Sequence, residues 1–124
     1  MSKIVFTNNA PDAIGPYSQA MVVGNLVFTS GQIAIDPTDG QIKAEGIEAQ
    51  TEQVCKNLCA VLEAAGTSIE KAVKTTCFLS DMADFSQFNG VYAKYFTGKP
   101  ARSCVAAKQL PRNVLVEVEV IAEI

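Results

Sequence analysis

The chain contains no histidine. That absence removes the usual His-containing zinc sites and every Ser–His or Cys–His nucleophile pair. Proton transfer then has to run through carboxylates, Tyr, Cys, Lys, backbone groups or water. Also missing are an apolar run of the ~20 residues that a bilayer span needs and any GxxxxGK[ST] or GxGxxG phosphate loop. The four cysteines, Cys55, Cys59, Cys77 and Cys104, form no CxxC pair. Cys55 and Cys59 stand at i and i+4 with no companion ligand nearby in sequence, so reduced thiols fit better than a disulfide framework or a metal site. Met1 to Phe6 is too short for the apolar region of a secretory signal. No block of like charges occurs, and the net charge is −3. Sequence-independent nucleic-acid binding needs clustered Lys and Arg, so this balance disfavours it. The expectation is a cytoplasmic protein with no nucleic-acid or membrane partner and no metal.

What is present suits one domain over residues 1–124. A composition of 48% hydrophobic and 19% charged residues is globular. A chain of this length can bury roughly two thirds of its unfolded surface. Tyr17 to Val23 and Leu26 to Ser30 are β-prone runs separated by Gly24-Asn25, a hairpin signal. A short strand at Ile33 to Ile35 is expected before the turn chemistry of Asp36-Pro37-Thr38-Asp39-Gly40. Ile47 to Ala65 reads as a helix, with Val54, Leu58, Val61, Leu62 and Ala65 in one apolar stripe and Gly66 as its stop. Val73 to Leu79 is a strand with apolar residues on both sides. A second helix should span Met82 to Phe96, capped by Asp81, with Phe85, Phe88, Tyr92 and Tyr95 as its stripe. Arg102 to Ala107 and Val114 to Ile124 complete the order as strands. The pattern predicts an α+β fold, a mixed sheet with two helices packed on one face.

The last strand alternates Val116, Val118, Val120 and Ala122 with Glu117, Glu119, Ile121 and Glu123. The valine face suits the core. The other face mixes acid with isoleucine, which suits contact with another subunit better than bare water. Alternation also puts Arg102 and Cys104 on one face of their strand. If that strand pairs antiparallel with the last one, pointing away from the helices, Arg102, Cys104 and Glu117 share a half-buried surface. There Arg102 would grip a carboxylate through paired charge-assisted hydrogen bonds, and Glu117 would hold a water. A structural ion pair between Arg102 and Glu119, within or between subunits, accounts for the same pattern. Cys104 and Cys77 read equally as small core residues. Gly15-Pro16-Tyr17 fixes a turn that can present the Tyr17 ring, and Ser30-Gly31-Gln32 ends a strand where another group can approach closely.

Taken in order, these pieces resemble the RidA/YjgF family, and the match runs nearly end to end. It is carried by Ala13-Ile14-Gly15-Pro16-Tyr17-Ser18-Gln19-Ala20, Ser30-Gly31-Gln32-Ile33, Asp36-Pro37 and Glu63-Ala64-Ala65-Gly66. Phe88-Asn89-Gly90-Val91-Tyr92, Pro100-Ala101-Arg102-Ser103-Cys104-Val105, Leu110-Pro111 and Val116-Glu117-Val118-Glu119 continue it. The resemblance implies a chorismate-mutase-like fold and a homotrimer with clefts between subunits. It also implies cofactor-independent hydrolysis of 2-aminoacrylate-type enamines and imines to 2-keto acids and ammonia. The reactive substrates come from pyridoxal-phosphate-dependent dehydratases. Carried over by position, Arg102 binds the substrate carboxylate and Glu117 orients the attacking water. The main chain at Gly31 and Cys104 contacts the ligand, and Tyr17, Ser30 and Asn89 line the cleft, with Tyr17 placed near the imine as a third catalytic residue and more than one subunit contributing. Non-catalytic binding of small carboxylates is the alternative the resemblance also allows. A ribonuclease label attaches to the family too, but the missing histidine and acidic balance speak against it. The chain departs from several relatives in its short Thr97-Gly98-Lys99 segment, which borders the cleft in the family.

Overall fold

Six strands form one mixed sheet in the computed structural model, which describes residues 1–124. They are β1 (Ser2–Val5), β2 (Ala20–Val23), β3 (Leu26–Thr29), β4 (Ala72–Leu79), β5 (Ala101–Ala106) and β6 (Val116–Glu123). Across the sheet the order is β1-β2-β3-β6-β4-β5, and only the β4–β5 pair is parallel. Two helices, α1 (Gly46–Ala64) and α2 (Phe85–Tyr95), cover one face. The predicted α+β architecture is therefore the one adopted.

The helices follow from their apolar spacing. Val54, Leu58, Val61 and Leu62 are fully buried against the inward faces of β3, β4 and β6. Gly66 ends α1 as expected. Its φ is +91°, its N–H donates to Glu63 O at 3.0 Å, and the Thr67 N–H donates to Leu62 O at 3.0 Å. This pair of bonds satisfies carbonyls that the helix end would otherwise leave open. A single 3₁₀ turn at Met82–Asp84 leads into α2, and the Asp81 carboxylate caps it by accepting the Ala83 N–H at 2.8 Å. Phe88, Tyr92 and Phe96 then stack in succession into the core.

The structure corrects the expected elements in three places. Ile33 to Ile35 is not a strand. The buried Asn57 of α1 donates its carboxamide to Ile33 O at 3.1 Å and Ile35 O at 2.9 Å, so this segment's carbonyls are satisfied by a side chain rather than by a neighbouring strand. Residues 17–19 precede the first hairpin rather than joining it, while the unanticipated β1 pairs along β2 at the sheet edge. Most consequentially, β5 pairs parallel with β4, and the central β6 lies between β3 and β4.

The face away from the helices is uncovered. One cross-strand row there is apolar, running Ile4–Met21–Phe28–Ile121. Ile4 and Phe28 are 64% and 40% exposed. Toward β5 the face turns polar, with Glu119 beside Thr76 and Glu117 beside Phe78. The outward side of β4 is thus less apolar than expected, because Lys74 and Thr76 point outward with Phe78.

Candidate active site

Glu117 sits on the uncovered face of β6, half-buried, under the segment that leaves β3. The segment is held by paired backbone bonds: the Gln32 N–H donates to Val118 O at 2.9 Å, and the Val118 N–H donates to Gln32 O at 3.2 Å. This lays Gly31 directly over the Glu117 carboxylate. A Cβ at position 31 would overlap Glu117 Oε2 and stand 2.8 Å from its carboxyl carbon, so only glycine permits the approach. Ser30 closes the next position, donating its N–H to Gln19 O at 2.9 Å and its Oγ–H to Ser18 O at 2.6 Å.

Gln19 organises the chain on the far side of this cleft. Its buried carboxamide accepts the Thr7 N–H at 2.8 Å and donates to Thr7 O at 3.0 Å and Pro11 O at 2.8 Å. One side chain thereby fixes a loop that has no secondary structure of its own. The resulting cleft, of about 430 Å³, is lined by Tyr17, Ser30, Gly31 and Glu117, with Asp12 and Glu119 beside them. No lysine or arginine lines it. Burial raises the Glu117 carboxyl above the ordinary carboxylate range, and the neighbouring Glu119 charge adds to the effect.

Arg102 occupies a second cleft. The β4–β5 register sets Arg102 opposite Thr75 and Cys104 opposite Cys77, and both partners are buried on the helix side. Arg102 Nη1 donates to Asn89 Oδ1 at 2.7 Å, and the guanidinium lies 4.8 Å from the Tyr92 ring centroid and 5.4 Å from that of Phe85. Tyr92 is itself fixed by a 2.7 Å hydrogen bond to Thr75 Oγ1. Three α2 residues at helical spacing (Phe85, Asn89, Tyr92) thus hold the fork from one side. The cleft measures about 550 Å³ and includes Phe96, Thr97, Lys99 and Pro100. No carboxylate lies within ion-pair distance of Arg102; the ion pairs of the chain join Lys43 to Asp36 and Asp39. The alternative Arg102–Glu119 pair therefore does not form within the chain.

The expectation that Arg102, Cys104 and Glu117 share one surface of a protomer is overturned. Glu117 pairs with Phe78, whose side chain points opposite to those of Cys77 and Thr75. Arg102 and Cys104 therefore face the helix side and Glu117 the other. The cause is the register across β4, which sets Arg102 and Cys104 level with Thr75 and Cys77 and so with Val120 and Val118 of β6 rather than with its glutamates. Tyr17, Ser30, Gly31 and Glu117 come together in one cleft, and Asn89 and Arg102 in the other. Cys104 lines neither. Its thiol is pushed up by partial burial, against a lowering pull from Arg102, and Cys77 beside it is pushed up to about 12, chiefly by burial. Neither thiol has the character of an activated nucleophile. Gln19, Tyr92 and Phe85 have site roles that periodicity did not single out. The Phe85-Asn89-Tyr92 spacing was the available signal, though it also reads as a core stripe. No group of three or more His, Cys, Asp or Glu side chains is placed to hold a metal, and no helix is long and apolar enough to cross a membrane.

Residues 7–124 match the family model described as Endoribonuclease L-PSP. The chain is 47% identical over 126 residues to the 2-iminobutanoate/2-iminopropanoate deaminase of Salmonella typhimurium, covering 98% of each. Its backbone matches a Yersinia pestis protein of the conserved Rid family, of unknown function, with a TM-score of 0.96 and 48% identity over the full length of both chains. It also matches Escherichia coli TdcF with bound serine, with a TM-score of 0.93 and 41% identity over 98% of each chain. With a family model spanning almost the whole sequence and close relatives aligned end to end, the chain belongs to the RidA/YjgF family.

Proposed function

We propose that this protein is a cofactor-independent deaminase of the cytoplasm that hydrolyses 2-aminoacrylate-type enamines and imines to 2-keto acids and ammonia. The observation that carries the reading is Arg102. It is a half-buried guanidinium held in place by Asn89 and two aromatic rings, with no carboxylate of its own chain to neutralise it. A fork fixed in this way suits the carboxylate of a 2-imino acid. The bound serine of TdcF and the deaminase activity named for the Salmonella relative support the same class of ligand.

In this reading the enamine tautomerises to the imine while Arg102 holds its carboxylate. A water on Glu117 adds to the imine carbon, and Glu117 takes up the proton that the water loses. Glu117 passes that proton to the nitrogen; the carbinolamine then collapses as its hydroxyl proton reaches the nitrogen through the same carboxylate, the C–N bond breaks, and ammonia leaves as the carbonyl forms. The raised Glu117 carboxyl is a better base than an ordinary carboxylate. Such imines also hydrolyse unaided, so most of the acceleration comes from orientation in the cleft.

Because the two clefts open on opposite faces of one protomer, the reacting groups meet only when the Arg102 cleft of one copy abuts the Glu117 cleft of the next. Their charges are complementary, since one is lined by Arg102 and Lys99 without an acid and the other by Asp12, Glu117 and Glu119 without a base. A contact between two different faces is head-to-tail, and it closes into a ring where the rotation between copies closes. The bare Ile4–Met21–Phe28–Ile121 row supports burial in that assembly, which we take to be a homotrimer with Tyr17, Ser30 and Gly31 opposite Asn89 and Arg102.

The test couples a serine or threonine dehydratase to this protein and traps surviving imine as its semicarbazone. Wild type is expected to suppress semicarbazone formation, and Glu117→Ala to lose that effect while still binding 2-oxobutanoate. Binding without any acceleration by wild type would make the site a carboxylate-binding module instead.

A further inference from the structure

Lys99 lines the Arg102 cleft and has no carboxylate partner in the chain. Its backbone is unusual twice over. It has φ +53°, a region that residues with side chains seldom adopt. It also precedes Pro100, and residues in that position favour extended backbone. Two neighbours hold it there. The Lys99 N–H donates to Phe96 O at 3.2 Å. Gly98 lies so close to β4's approach that a Cβ on it would be 2.7 Å from the Glu70 carbonyl oxygen. The turn is thus wedged between the end of α2 and Glu70, and this fixes the start of the Lys99 side chain at the cleft. An uncommon conformation held by its surroundings is the kind of feature that gathers at binding sites.

The cleft that Lys99 borders combines apolar and cationic lining. Tyr92, Ala93, Phe96 and Pro100 give it an apolar wall, and its charges are two cations without an acid. A 2-imino monocarboxylate would satisfy Arg102 alone, leaving Lys99 to the acids of the facing cleft or to a second carboxylate on the ligand.

We infer that the preferred substrates carry a second carboxylate, which Lys99 receives while Arg102 holds the first. This inference rests on the deaminase reading for its chemistry, and the hydrolysis is unchanged: water adds, the C–N bond breaks and ammonia departs. The substrate class is then the imines of dicarboxylic 2-oxo acids. The reactions that supply them must oxidise or eliminate from acidic amino acids.

The experiment uses the assembled wild-type protein. Imines are generated in place by amino-acid oxidases from glutamate and from 2-aminobutyrate, and surviving imine is trapped with semicarbazide. The expected ratio of kcat/KM, 2-iminoglutarate over 2-iminobutanoate, is about tenfold in wild type, the size of one charge-assisted contact. Lys99→Gln should bring the ratio close to one, and Lys99→Arg should restore it. A wild-type ratio at or below one, or a ratio that Lys99→Gln leaves in place, overturns the inference. A second arm titrates Glu117→Gln protein with 2-oxoglutarate and 2-oxobutanoate by calorimetry. A Lys99-dependent preference for 2-oxoglutarate, with no imine accelerated by wild type, would keep the ligand class and remove the deaminase reading. Acceleration of 2-iminobutanoate with no preference in either arm would do the reverse.

Discussion

Replacing Gly31 with alanine should disable the chemistry while sparing the fold. The backbone at position 31 is not in the left-handed region, so alanine is conformationally acceptable there. The difficulty is the Glu117 carboxyl carbon, which would lie 2.8 Å from the new methyl. Carbon atoms settle at about 3.5–4.0 Å, so the carboxyl carbon must retreat by about 0.7 Å or more, and the overlapping Oε2 by more than that. It can do so by rotating the end of a flexible side chain toward the open cleft. The stability change should therefore stay within about 1 kcal/mol, in the range of ordinary substitutions away from the core. The reaction has less tolerance, because a misplacement of about 1 Å can lower a rate roughly a hundredfold. We expect kcat/KM for imine hydrolysis to fall by about 30- to 100-fold, with kcat carrying most of the loss and 2-oxobutanoate binding changed much less. Thermal unfolding of the same preparation provides the control. A Gly31→Ala protein that melts with wild type and hydrolyses imine within two-fold of it would refute the assignment of Glu117 to the water.

The raised Glu117 carboxyl predicts that kcat/KM declines on acidification at a pH above the ordinary glutamate value. Glu119→Gln removes the second cause of that rise and should move the decline to lower pH. Because the ionised form is the disfavoured one in the fold, Glu117→Gln should raise the melting temperature at neutral pH. That gain should vanish below about pH 4, where the unfolded carboxyl is also protonated; a melting temperature that falls at neutral pH would contradict the shift. If sites form between copies, coexpressed Arg102→Ala and Glu117→Ala chains should recover about a quarter of wild-type activity, since one neighbouring pair in four unites an intact fork with an intact carboxylate. Activity no higher than that of either parent alone would confine the site to single protomers.

The helices were legible because their apolar residues recur at a period that leaves no other reading. Val54, Leu58, Val61 and Leu62 mark one, and Phe88 and Tyr92 the other. Gly66 announced its role through the conformation it alone adopts cheaply. The segment at Ile33 to Ile35 misled because a short apolar run resembles a strand when the distant Asn57 that serves its carbonyls is out of view. Alternation correctly put Arg102 with Cys104 and Glu117 with Glu119. It says nothing, however, about which strand lies alongside. The placement of β5 beside β4, and its register there, is a property of the whole chain, and that register reversed the expected side for Arg102. The cleft around Glu117 was readable only as scattered motifs, since Tyr17, Ser30 and Gly31 reach it by way of backbone bonds to Gln19 and Val118.

Strand β6 serves two purposes with alternate residues. Val116, Val118, Val120 and Ala122 fill the interior, while Glu117 and Glu119 furnish the cleft. A slip of one residue in its pairing would bury carboxylates and expose valines together. Misalignment of the proposed water-holding group is thereby tied to a fold that cannot persist, and the molecule needs no separate device to keep Glu117 in register.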